Sequence, residues 1–479
     1  MASVILLHKA PAIWEVECKG KRGITPKFTS EFTEIKNPTK SESEFLSSME
    51  QDLFFLFAKS VAKYLEISDI HVILCHDSKE KRNWEVIERN GVIRSDGGFV
   101  FWSSNSLNMM PDISDADVMI VRGNYPNLHN KLMTEYSPRC TIFYPATSLF
   151  FPHFDIRINN WIESLIDGTS DFDEIMKVYS RLNEEAIFSR IKEPKLRKPR
   201  SKSEDIEIRK LVRNYCLECI KIAKGVRSRV SPGNYPIVLF DEENNLDTLE
   251  MKYPNSTLLK FNKAPSPVFE IDLKANRDID ILFTGTTIQR TKNPHLFYEI
   301  VDQLLEIRPE SKVAIVGVED GLEDLENRWS TKNIEVFGRI SKEELCRLYN
   351  RSKFHMITSG RDCFPRTIPE SICCGCHNIV LDILSDGLSI IAENPIIGTV
   401  IDTTDCIPIL EPSYSISVIL QSDFVKSKLI ETIETQHDHF SIATLGRNLL
   451  SLEKMVQLDR VWESIDLNSL NHPNQISYS

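Results

Sequence analysis

Two clusters in the second half of the chain have the residue types and spacing to do chemistry, the first of them on an anion. The first is Gly285-Thr286-Thr287, which follows the apolar run Asp280 to Phe283 and precedes Arg290, Lys292 and Pro294. A glycine at a strand's carboxyl end lets the backbone turn sharply, and the helix expected from about Pro294 to Leu305 offers unpaired N–H groups at its start. Arg290 and Lys292 add cations, so the cluster suits an anion. Its glycine spacing is neither G-x-G-x-x-G nor G-x-x-x-x-G-K-[ST], which takes support from the dinucleotide and P-loop readings.

The second cluster runs from Thr358 to Gly375 and contains Ser359, Gly360, Asp362, Phe364, Arg366, Thr367 and Glu370. Thr367 and Glu370 have the spacing of a capping box, with Pro369 inside the first turn of a helix that Gly375 ends. Asp362 suits an Asx turn in the preceding loop.

The elements that must carry these clusters are short apolar runs alternating with helical stretches. The runs are Ser3–Leu7, His71–Cys75, Val118–Val121, Cys140–Phe143 and Ile237–Phe240, then Asp280–Phe283, Lys312–Val316, Ile334–Phe337, Phe354–Ile357 and Asn378–Leu381. Continuous apolar runs of this length predict strands buried on both faces of parallel sheets. The fold class is therefore α/β, doubly wound twice over. Helices are expected around Asp171–Ser180 and from Asp205 to Arg227, flanking a basic, proline-broken loop from Arg190 to Lys202. The proline-rich stretch Asn262 to Phe269 marks a domain boundary.

The second half resembles a known family. Against its signature S-x-x-E-G-F-G-x-x-x-x-E-A-x-x-x-G-x-P-V, this chain reads SGRDCFPRTIPESICCGCHNIV, with Ser359, Asp362, Phe364, Glu370, Ser371 and Gly375 at the matching places. The stretch from Gly338 to Tyr349 is similar to the family's G-x-x-x-x-E-E-L-x-x-L-Y. These motifs, over about residues 280 to 405, resemble the carboxyl-terminal domain of GT-B glycosyltransferases of the retaining family 4, or glycosyltransferase group 1. The chain departs from the pattern at Asp362, which replaces a Glu, at Cys363 and Pro365, which replace glycines, and at Thr286, which stands where an arginine is usual.

The resemblance implies two Rossmann-like domains facing each other across a cleft, and transfer of a hexosyl or pentosyl group from a nucleoside-diphosphate sugar to an acceptor hydroxyl. Retention of configuration and independence of metal follow from it, with no cofactor besides the donor. Lys292, Arg290 and Asp362 are the expected catalytic residues. Gly285, Thr286, Thr287, Ser359, Phe364, Arg366, Thr367 and Glu370 are expected at the donor, where Glu370 would accept ribose hydroxyls and Asp362 sugar hydroxyls. The same resemblance divides the chain into an acceptor domain at 1–265 with a helical insertion at about 158–230, a donor domain at 266–423, and helices from 424 onward that return to the first domain, followed by a frayed tail.

Acceptor contacts are sought at strand ends of the first half, with His76, Asp77 and Arg122 foremost. A basic, glycine-containing segment at Glu17 to Thr29 and the aromatic run Ser148 to Phe154 are weaker candidates. The acceptor class stays open among saccharide, lipid-linked sugar, protein and modified DNA. The loop from Arg190 to Lys202 would serve a polyanion such as DNA bearing hydroxylated bases. A sugar-nucleotide-binding protein without transfer activity, and an epimerase or phosphorylase on the same fold, are the competing readings.

Composition limits these readings. The chain has 479 residues, 41% hydrophobic and 26% charged, which excludes wholesale disorder and suits two domains. Its net charge of -12 disfavours general coating of polyanions. No apolar run is long enough to span a bilayer, and eleven cysteines at irregular spacing do not form a secreted disulfide framework, so a cytoplasmic protein is expected. Cys216 and Cys219, and the group Cys373, Cys374 and Cys376, lack the second pair that a structural zinc site needs.

Overall fold

The computed structural model describes residues 4–9, 52–68, 70–78, 83–86, 92–94, 98–102, 118–122, 138, 140–145, 160, 163, 199–227, 235–240, 246–261, 263–285, 290–318, 322–329, 333–362, 364–384, 386–410 and 416–451. They group into two compact units. The expectations for Glu17 to Thr29, Ser148 to Phe154, Asp171 to Ser180, residues 190–198 of the basic loop and the carboxyl-terminal tail lie outside the described residues. So do the side chains of Cys216 and Cys219.

The first unit is a sheet of nine described strands. It begins with β1 (Val4–Lys9) and a helix α1 (Leu53–Tyr64), then β2 (Ile70–Ser78), β3 (Asn83–Val86), β4 (Val92–Arg94), β5 (Phe99–Trp102), β6 (Val118–Arg122) and β7 (Cys140–Tyr144). After β7 the chain leaves this sheet as α2 (Lys202–Arg227), and returns as β8 (Ile237–Phe240), α3 (Leu246–Lys252) and β9 (Thr257–Lys260). The order is β4-β5-β2-β1-β6-β7-β8-β9, with β3 on β2. All pairs are parallel except β2–β3 and β4–β5. Asp52 caps α1 by accepting from the Phe54 amide at 3.1 Å, and the helix lays Phe54, Phe55 and Phe57 against Tyr144, Phe99 and Phe261.

The second unit contains β10 (Ile279–Thr284), α4 (Pro294–Ile307), β11 (Val313–Val316), α5 (Leu322–Arg328), β12 (Ile334–Phe337), α6 (Lys342–Arg351) and β13 (Ser352–Ile357). It continues with α7 (Thr367–Cys373), β14 (His377–Leu381), α8 (Leu388–Ala392) and β15 (Gly398–Ile401). A hairpin β16 (Ile407–Leu410) and β17 (Ile416–Ile419) follows, then α9 (Ile430–Glu434) and α10 (His439–Leu449). Six parallel strands take the order β12-β11-β10-β13-β14-β15, so the first strand in sequence lies inside and the winding reverses between β10 and β13. That reversal is the switch point of a doubly wound sheet, where ligands bind beyond the carboxyl ends of the strands. The chain thus holds two doubly wound, Rossmann-like α/β units, as its alternating apolar runs imply.

Membership of the units differs in two places from the expectation. The helix α2 was expected with the first domain because it interrupts that domain's sequence. It groups instead with the second, where Ile208, Val212 and Tyr215, one turn or so apart, join the core with Phe297, Val301 and Phe354. The segment from 424 onward was expected to cross back to the first domain. Of it, residues 424–450 stay with the second sheet, Ile442 and Leu450 packed among Phe364, Ile368 and Ile372, and the division assigns the chain to the first unit from Ser451. Apolar spacing, not position along the chain, decides both. No helix among the described residues is long and apolar enough to cross a membrane.

Candidate functional site

The site grows from the carboxyl ends of β10 and β13, which pair side by side. After β10, Gly285 leaves room for the returning chain: a Cβ there would come within 3.3 Å of the Cβ of Lys292. A short 3-10 turn, Arg290–Lys292, leads into Asn293, whose φ of 47° sets up Pro294 as the first residue of α4. The Asn293 side chain does not cap this helix. Its Nδ2 donates to the carbonyls of Thr358 at 2.9 Å and Ile416 at 2.6 Å.

The loop after β13 answers these bonds. Thr358 Oγ1 donates to the carbonyls of Lys292 at 2.8 Å and Asn293 at 3.2 Å, and the amide of Gly360 donates to Thr291 at 3.2 Å. Gly360 is pressed against the backbone of Ile416 so closely that any Cβ would collide with its carbonyl. Two loops distant in sequence are thereby stitched into one surface. On it the ammonium of Lys292 and the carboxylate of Asp362 form an ion pair, both side chains mostly buried. Ser359 lies buried beside them in the chain.

Beyond Asp362 the chain turns through Phe364 at φ 49°, a conformation costly for a residue with a side chain. Burial of the ring offsets that cost: Phe364 is 4% exposed, against Ile368 and Gly387, where a Cβ would come within 2.9 Å of the ring. The turn starts α7. Its N-cap is Arg366 in helical conformation, with no side-chain cap, so Thr367 and Glu370 do not form the capping box that their spacing allows.

Glu370 is thus left without the local role. It is half-buried, and no hydrogen bond reaches its carboxylate among the described residues. Burial pushes its pKa up to about 7, with Arg366, Lys342 and Lys292 pulling the other way. A half-buried carboxylate with no hydrogen bond among the described residues, under the pull of three cations, is a ready acceptor for hydroxyl donors.

Beneath the site lies a polar chain that sequence reading passed over. Thr284, the last residue of β10, lies 2.8 Å from His355 Nε2 and 3.4 Å from the Tyr349 hydroxyl. The other ring nitrogen of His355 lies 2.9 Å from Asn378 Oδ1, which also receives Ser371 Oγ of α7 at 2.9 Å. Burial lowers the His355 pKa to about 4 and keeps the ring neutral. A neutral ring donating from Nδ1 to Asn378 accepts at Nε2 from Thr284. The signal for this network is a polar residue inside one apolar run, His355 in FHMI, and another at the head of the next, Asn378 in NIVL.

The structure brings together Gly285, Lys292, Ser359, Asp362, Phe364, Arg366, Thr367 and Glu370 at one end of one sheet. Thr286, Thr287 and the side chain of Arg290 lie outside the described residues. Of the acceptor candidates, His76 and Asp77 are not in a loop: β2 runs through them, paired with Glu85 and Trp84, and their side chains are not described. Arg122 ends β6, 3.8 Å from Asp52 and over the ring of Phe54, contacts that fix the start of α1. Cys373, Cys374 and Cys376 are buried free thiols. Among the described residues no three His, Cys, Asp or Glu side chains stand close enough together to hold a metal ion.

Residues 268–407 match the family model described as "Glycosyl transferases group 1", so the resemblance read from the motifs holds over this segment. Solved structures similar to the chain include WaaG, a glycosyltransferase involved in lipopolysaccharide biosynthesis, at 10% identity and TM-score 0.47, covering 96% of this chain and 99% of that one. Others are OtsA, at 9% and 0.46 over 98% and 99%, and Anabaena HepE in complex with UDP-glucose, at 8% and 0.45 over 98% and 100%. At these values the likeness says nothing of substrate. No curated protein matches the sequence.

Proposed function

Given a glycosyl transferases group 1 segment at residues 268–407, we propose that the protein transfers a hexosyl or pentosyl group from a nucleoside-diphosphate sugar to an acceptor hydroxyl. The observation that carries this reading is the pairing of Lys292 with Asp362 beside a Glu370 carboxylate that makes no hydrogen bond of its own among the described residues, at the switch point of a doubly wound sheet.

The chemistry asked of the site is stabilisation of a leaving diphosphate. As the glycosidic C–O bond breaks, negative charge grows on the β-phosphate, and Lys292, joined by Arg290 from the same turn, neutralises it. The start of α4, with Pro294 removing one donor, adds the amides of its first turn. Asp362 holds the Lys292 ammonium in place before the donor arrives and then accepts hydrogen bonds from sugar hydroxyls. Glu370 accepts the two ribose hydroxyls. Its raised pKa means that the empty site is partly protonated at neutral pH, and that the donor, by supplying two hydroxyl donors, draws it to the ionised form.

Retention of configuration and independence of metal belong to this proposal. The donor's own phosphate takes the acceptor proton on the attacking face, so no protein base is required. Thr284, His355 and Asn378 hold the ends of β10 and α7 in register.

A thermal-shift screen with UDP-, GDP- and ADP-sugars tests the donor site, because a ligand that binds only the folded chain raises its melting temperature with concentration. Release of nucleoside diphosphate that is lost in Lys292→Ala and Glu370→Ala supports transfer. Stabilisation without release identifies a binding module instead, and absence of any stabilisation sinks the donor site.

A further inference from the structure

One pair of side chains in the second unit has a geometry that sugar transfer does not use. Cys346, on α6, and Cys374, the residue that ends α7, are 28 positions apart in sequence, and their sulfur atoms lie 3.8 Å apart. Both are free thiols. Cys346 is half-buried and Cys374 fully buried, so one sulfur is open to a small reagent and the other waits behind it. Asn350, one turn on, points its Nδ2 at the Cys346 sulfur from 3.5 Å.

The neighbouring cysteines are placed differently. Cys376 gives its thiol hydrogen to the carbonyl of Tyr349 at 3.0 Å, and burial raises its pKa to about 12. Cys373 is buried away from Cys346, among the residues of α7 that face the core, and burial raises its pKa to about 12 as well. Only Cys346 moves the other way: the hydrogen bond from the Cys374 thiol favours its thiolate, against the effect of burial. The thiolate is the reactive form of cysteine.

We propose that Cys346 and Cys374 are an oxidisable dithiol, in which a hydroperoxide oxidises Cys346 and Cys374 resolves the product to a disulfide between α6 and α7. In the first step the Cys346 thiolate attacks the peroxide: an S–O bond forms, the O–O bond breaks, and hydroxide or alkoxide leaves. In the second, the Cys374 sulfur attacks the sulfur of the sulfenic acid. An S–S bond forms, the S–O bond breaks, and the departing hydroxide takes the Cys374 proton as water. Two electrons pass from the two thiols to the peroxide. A disulfide of about 2.05 Å requires the sulfurs to close by about 1.8 Å, a distance that side-chain rotation and a small helix shift supply.

The crosslink lies next to the candidate donor site. The Cys374 amide donates to the carbonyl of Glu370 at 3.3 Å, and Tyr349, three residues after Cys346, reaches Thr284. Oxidation therefore ties the helix of Glu370 to the helix of Tyr349. An effect on donor affinity rests on the functional reading above, whereas the disulfide does not.

The test is peptide mapping of the full chain after hydrogen peroxide and alkylation. The expected result is a loss of about 2 Da, with the Cys346 and Cys374 peptides linked, out of eleven cysteines, and reversed by dithiothreitol. Cys374→Ser should leave Cys346 as a sulfenic acid that dimedone labels, and Cys346→Ser should leave Cys374 unoxidised. Linkage of other cysteines, or both thiols still reduced when dimedone labels a different cysteine, overturns the proposal. Titration of the oxidised and reduced chain with UDP, GDP and ADP should show a several-fold weaker affinity after oxidation. Equal affinities would cut the link to the donor site, and binding of none of the three would count against the functional reading while the disulfide stood.

Discussion

Asn293 and Thr358 bond to each other in both directions: the Asn293 side-chain amide donates to the Thr358 carbonyl at 2.9 Å, and the Thr358 hydroxyl donates to the Asn293 carbonyl at 3.2 Å. The exchange fixes two loops from different strand ends at one spacing, and that spacing sets Lys292 against Asp362. Asn293→Ala would leave the Thr358 and Ile416 carbonyls without this donor and put alanine, which tolerates the left-handed region less well than asparagine, at φ 47°. The expected loss is about 2–4 kcal/mol, measured by urea unfolding. Thr358→Ser, which keeps the hydroxyl, should cost less than Thr358→Val, which removes it.

Lys292→Ala should lower kcat by at least about a hundredfold, because the cation neutralises charge that grows only as the diphosphate leaves. Asp362→Asn keeps the shape and removes the charge. It should free the ammonium of its partner, so nucleoside-diphosphate binding tightens or holds while kcat falls. Steady-state kinetics with parallel calorimetry separates the two.

Glu370 has opposite consequences for binding and for stability. Binding of ribose hydroxyls needs the carboxylate, so donor affinity should weaken as pH falls from 8 to 6, through the pKa of about 7, and Glu370→Gln should bind weakly at every pH. For stability the sign reverses: a carboxyl whose pKa is raised on folding stabilises the fold fully at low pH and loses that contribution as pH rises toward 7. Glu370→Gln should therefore stabilise the chain at pH 8 by about 1–3 kcal/mol, read from denaturant midpoints.

His355 and His377 are both held near a pKa of about 4, chiefly by burial. The unfolded chain takes up protons that the folded chain refuses, so stability present above the ordinary histidine range is lost as pH falls from 6.5 toward 4. At pH 5 each ring should cost about 2 kcal/mol relative to pH 7.5, and His377→Gln should flatten its share of that slope.

Much of the second unit is legible in sequence because the signals there are redundant. All ten apolar runs are strands, since a parallel sheet covered on both faces needs uninterrupted apolar residues. The pairing of Lys292 with Asp362 is less legible, because 70 positions separate them and only the stitching of Asn293, Thr358 and Gly360 brings them together. The capping box at Thr367 and Glu370 fails because Phe364 turns the chain in left-handed conformation and starts the helix one residue early, with Arg366 as its cap. Short strands such as Asn83–Val86 and Val92–Arg94 carry too few apolar residues to be read without their partners. The helix Lys202–Arg227 is readable as a helix, but its apolar stripe does not say which core it fills.

That stripe also orders events during synthesis. Ile208, Val212 and Tyr215 leave the ribosome before any strand of the core that buries them, and β8 and β9, which complete the first sheet, emerge only afterwards. Neither unit is a continuous stretch of chain. The first sheet is complete at Lys260, but the long helix must wait, its apolar stripe without the core that buries it, until the second sheet exists, and a truncation anywhere before Leu450 releases a chain with an unfilled core.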